Sequence, residues 1–112
     1  MLGPNFENIY KKTAVLYNNI CEVEFMKEIK ILIPEYDNGV ECVWEEGFKI
    51  KTSAPFDTLT IEANREGLVS LARHLLHLAQ DDVPNGSHFH LDEYNALEEG
   101  SLELIISKNK GL

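Results

Sequence analysis

The 112-residue chain lacks long apolar runs, a basic leader and, above all, positive charge. Each shortage excludes something. Every apolar stretch is broken by charge or histidine, so none reaches the roughly 20 residues of a membrane-spanning helix. "MLGPNFENIYKK" has no basic start leading into an apolar core, which argues against a secretory signal and makes the cytoplasm the expected compartment. Only two cysteines occur, Cys21 and Cys42, far apart and each in an apolar-face position. Buried free thiols are expected there; neither belongs to a CxxC pair, so a disulfide or a zinc site is the weaker reading. There is no GxxxxGK[ST] phosphate loop. Ser87 and Ser101 each follow glycine but sit in no G-x-S-x-G elbow. No cofactor motif is present, and none is expected to be needed.

The charge deficit is uneven. Nineteen acids face ten bases, a formal net charge of −9. Phosphate backbones and anionic membrane surfaces would be repelled, so neither nucleic acid nor membrane is an expected partner. One base-free window holds Glu35, Asp37, Glu41, Glu45 and Glu46; a second holds Asp81, Asp82, Asp92, Glu93, Glu98 and Glu99. Such windows are commonly solvated surface. They also suit a basic partner, with electrostatically steered association.

What is present predicts a single α+β domain over residues 1–112, with a core that needs no metal or disulfide to support it. Phe6, Ile9, Tyr10, Thr13, Tyr17 and Ile20 recur at helical spacing, although "TAVLY" also suits a strand by residue type. Cys21, Val23, Phe25, Ile29, Ile31 and Ile33 alternate as a strand. Val40, Cys42, Trp44, Phe48 and Ile50 do the same beyond "DNG". An Asn38-Gly39 hairpin would set Ile33 opposite Trp44 and Glu28 opposite Lys49, with Glu46-Gly47 as a bulge. "TLTIEA" predicts a third strand with Leu59, Ile61 and Ala63 inward. Asn64 is a good N-cap for a helix over about 65–81, whose apolar stripe comprises Leu68, Leu71, Ala72, Leu75, Leu78 and Ala79. "SHFHLD" and "SLELIIS" close the order β-β-β-α-β-β: a mainly antiparallel sheet with one long helix packed on one face.

All four histidines fall within seventeen residues. At 100° per residue, that stripe turns His77 directly outward and His74 to its flank. On the strand, Phe89 and Leu91 face the helix, so His88, His90 and Asp92 face away. The two histidine pairs then lie on opposite sides of the layers and cannot share an ion. His88, His90 and Asp92 remain as a weak metal set, a pH-sensitive contact face or a plain polar face. Asp81 and Asp82 oppose the dipole at the end of the helix, with no base nearby in sequence.

Asn64 with Gly67-Leu68, the leucine-rich helix, the Gly-x-His-x-His-Leu-Asp strand (Gly86–Asp92) and Gly100-Ser101 before Glu-Leu-Ile-Ile together resemble the immunity protein 32 family of bacterial polymorphic toxin systems, over roughly residues 61–108. The resemblance implies a non-catalytic cytosolic protein that binds and neutralises a cognate toxin domain. It carries over no functional residue. The expected contact set is the two acidic windows together with His88 and His90. The alternative is a small metal-binding or metal-dependent enzyme domain built on His88, His90 and Asp92.

Overall fold

A computed structural model describes residues 25–112. The chain divides into two units, Met1–Ile33 and Pro34–Leu112. The expected N-terminal helix, Cys21 and Val23 lie outside the described residues. Residues 25–33, in the first unit, form no helix or strand. All that follows concerns the second unit.

Two antiparallel pairs of strands and one helix define an α+β fold. Strand β1 (Ile50–Ser53) pairs with β2 (Thr60–Ala63), Ile50 opposite Ala63. Helix α1 (Arg65–Ala79) follows, and β3 (His88–Leu91) then pairs with β4 (Leu104–Ser107), Phe89 opposite Ile106. The turn between β1 and β2 holds Phe56 and Asp57 at φ 54° and 63°, with the Phe56 ring fully exposed. The other edge of β1 is also used. Glu98 N donates to Ile50 O (2.8 Å), Thr52 N donates to Ser101 Oγ (3.1 Å), and the Thr52 hydroxyl donates to Leu102 O. The Gly100-Ser101 motif thus stitches a loop onto β1.

Asn64 sets the entry to the helix. Its Oδ1 accepts from Gly67 N (2.8 Å) and from Lys49 N (2.9 Å), while its Nδ2 donates to Gly47 O (2.9 Å). One side chain caps the helix and ties it to the turn before β1. Gly67 lets them approach: a Cβ there would lie 2.5 Å from Lys49 O.

The core comprises Ile50, Leu71, Leu78, Val83, Phe89, Leu91, Leu97 and Leu104, with Trp44 and Phe48 packed against it. The alternation of β3 is as the sequence predicts, with Phe89 and Leu91 buried and His88 and His90 exposed.

Three expectations need correcting. First, no strand is present in residues 34–49, and of Asn38 and Gly39 only Asn38 has positive φ, whereas the predicted turn needs both. Gly47 sits in a tight turn, with Phe48 N donating to Glu45 O (3.2 Å), rather than in a bulge. Second, the buried face of the helix is Gly67, Ser70, Leu71, His74, His77 and Leu78; Leu68 and Leu75 are 55% and 50% exposed. The helix is therefore rotated from the apolar stripe, and His74 and His77 point inward. Third, Leu59, Ile61 and Leu102 are exposed, and Cys42 is an exposed thiol.

Candidate docking surface

The rotation of the helix has a local cause. Ser70, His74 and His77 recur at i, i+4 and i+7 on one face, and all three are essentially buried. Burial leaves their polar atoms in need of partners. The run Glu41–Glu45 supplies them, antiparallel to the helix: Glu41 N donates to His77 Nε2 (3.2 Å), Val43 N to His74 Nε2 (3.2 Å) and Glu45 N to Ser70 Oγ (2.9 Å). Alternate amides meet successive helical turns, which requires an extended backbone. Ser70 Oγ also donates to Glu66 O, and Arg73 Nη1 donates to Val43 O (3.4 Å).

Hydrogen bonds orient both rings. His77 Nδ1–H donates to Pro34 O (2.7 Å), where Gln80 Nε2 also donates (2.9 Å). His74 uses Nε2 as an acceptor, so its proton sits on Nδ1, buried and without a partner among the described residues. Trp44 meets the His74 ring edge-on, with centroids 4.2 Å apart, and Phe89 lies against it at 4.8 Å. Burial, reinforced by the Arg73 charge, pushes the His74 pKa down to about 4. Cys42 is shifted the other way, its thiol raised by partial burial.

The acidic windows sort by engagement. Glu45 pairs with Arg73 (3.7 Å), Asp37 accepts from Asn38 Nδ2 (3.4 Å), and Glu93 Oε2 accepts from Gly100 N (3.0 Å). Asp92 Oδ1 accepts from Tyr94 N (2.9 Å), fixing the turn after β3. The side chains of Glu35, Glu41, Glu46, Asp81, Asp82, Glu98 and Glu99 are exposed and make no bond among the described residues. The end of the helix finds its missing bases across the fold. Lys108 Nζ donates to Gln80 O, and Lys110 Nζ donates to Asp81 O (3.3 Å).

His88 Nδ1 lies 3.1 Å from Gly86 O, and His90 Nε2 lies 3.0 Å from Glu103 Oε2. With the Asp92 carboxylate turned to Tyr94 N, His88, His90 and Asp92 do not converge. Among the described residues no group of three or more His, Cys, Asp or Glu side chains could hold a metal ion. Sequence reasoning placed His88 and His90 correctly but missed the roles of Ser70, His74, His77 and Arg73. The i, i+4, i+7 spacing of Ser70, His74 and His77 was the available signal.

The second unit is thus a small α+β fold whose buried polar side chains hold backbone and whose uncommitted charges are mostly acidic. Residues 58–109, just under half the chain, match the model of the immunity protein 32 family, the family its motifs resemble. The match supports an immunity-protein role and points away from enzymatic activity. No curated protein and no solved structure matches the chain. Among the described residues no helix is long and apolar enough to cross a membrane.

Proposed function

We propose that this protein is a non-catalytic cytoplasmic immunity protein that binds a cognate toxin domain through its acidic surface. The observation that carries the proposal is the set of seven exposed carboxylates, Glu35, Glu41, Glu46, Asp81, Asp82, Glu98 and Glu99, which engage nothing else among the described residues. A side chain already bonded within the fold must break that bond to meet a partner; these need not. The family match supplies the class of partner, and a basic surface on that partner complements the charge.

The test is co-expression with the C-terminal domain of a large toxin encoded beside this chain, scored as rescue of growth. Charge reversal at Glu41 and Glu46, or at Asp81 and Asp82, should weaken binding without unfolding and flatten its dependence on salt. Rescue that survives reversal in both windows, with affinity and salt dependence unchanged, would remove the acidic surface from the account. Failure to rescue would remove the toxin.

A further inference from the structure

The run Val40–Glu45 has two edges, and the helix occupies one of them. In an extended chain the N–H and C=O of one residue point to one side and those of the next residue to the other. Glu41, Val43 and Glu45 turn their amides to His77, His74 and Ser70, and Arg73 donates to the Val43 carbonyl. Val40, Cys42 and Trp44 therefore turn their backbone groups away from the helix. Those groups make no hydrogen bond among the described residues, and Glu41, Cys42 and Val43 are exposed. An edge of this kind is a template for an added strand.

Charge selects what is added. Glu35, Asp37, Glu41, Glu45 and Glu46 flank or line the edge, and no Lys or Arg occurs from residue 35 to residue 48. Arg73 pairs with Glu45. A second copy paired edge to edge would set glutamates against glutamates, which is unfavourable in a cross-strand pair. A strand bearing Lys or Arg gains both the backbone bonds and the opposite charges. We infer that the outer edge of Val40–Glu45 receives an extended basic segment of the partner protein as an added strand. The inference rests on the immunity reading only for the identity of the molecule that carries the segment.

The probe is a short peptide of alternating Lys and Val, with an alternating Glu and Val peptide as control, read by amide NMR shifts and hydrogen exchange on the full chain. The basic peptide should shift and protect the amides of Val40, Cys42 and Trp44 and leave those of Glu41, Val43 and Glu45 as they were; the acidic peptide should do neither. Cys42→Pro removes one outward N–H and favours extended backbone at Glu41. It should weaken binding roughly tenfold, whereas Cys42→Ala should not. If Cys42→Pro misfolds, the wild-type protein with a basic peptide N-methylated at alternate residues asks the same question, and that peptide should not bind. Binding of the methylated peptide as tightly as its parent would show attraction without strand addition. Slow exchange at Val40, Cys42 and Trp44 in the free protein would show the edge already covered by the chain itself, and self-association abolished by Cys42→Pro would make the occupant a second copy. Each of these results overturns the inference. Strand addition without toxin rescue would leave the edge standing and remove the immunity reading; rescue with the methylated peptide still binding would do the reverse.

Discussion

His74 shows what burial does to a single residue. Its ring is a useful acceptor for Val43 N only while neutral, and it sits between Trp44 and Phe89 with a lone buried N–H. Its pKa falls from the ordinary 6.5 to about 4, first through burial, then through Arg73 and His77. In the unfolded chain the group binds a proton near 6.5, and in the folded chain it resists until about 4. The unfolded state therefore binds more protons in between, and stability drops as the pH is lowered through that window. The contribution is complete above 6.5 and lost by about 4, on the order of 3 kcal/mol. Urea midpoints measured across that range should decline in the wild type, and the decline should be shallower in His74→Gln, which keeps an acceptor that does not titrate. Equal slopes would mean that other groups set the pH response. At Gly67 the residue-scale expectation concerns volume. Gly67→Ala drives a methyl to within 2.5 Å of Lys49 O, a backbone atom, and should cost about 1–3 kcal/mol, read as a lowered thermal midpoint.

At the scale of elements, the helix was legible in its limits and illegible in its rotation. Asn64 marked its start, and the span 65–79 is close to the 65–81 expected. Choosing its inner face by apolarity failed because three of the buried positions are Ser70, His74 and His77, whose Oγ and Nε2 atoms accept from backbone amides 25–36 residues away in sequence. Alternation in β3 was readable because Phe89 and Leu91 are the only apolar residues in it and both are buried. The Asn38-Gly39 hairpin was not, because Gly39 lacks the positive φ its turn needs and the run Glu41–Glu45 is seated on the helix instead. The two candidate faces separate by mutation. Leu78→Ala should cost about 2–5 kcal/mol, whereas Leu75→Glu, at a side chain half in solvent, should stay within about 0.5 kcal/mol. Chemical denaturation of the two variants checks this, and the reverse order would restore the apolar stripe as the inner face.

At the scale of the whole molecule, the acidic windows were legible in composition, but their partners within the fold were not. Lys108 and Lys110 reach the carbonyls of Gln80 and Asp81 from nearly thirty residues away, relieving the negative end of the helix. The tail of the chain thus secures the end of its helix. A chain ending at Ser107 should exchange the amides of the last helical turn several-fold faster while those near Asn64 hold. Uniform acceleration would mean that the tail supports the whole fold instead. The attachment of Glu41–Glu45 carries a different consequence. Ser70, His74 and His77 bind amides, which every residue but proline supplies, so they do not read which side chains the run displays. Positions 41 and 43 can therefore diversify in sequence while the run stays seated, whereas Glu45 is tied to Arg73. A surface built this way can exchange those exposed residues with no compensating change required in the helix that holds them.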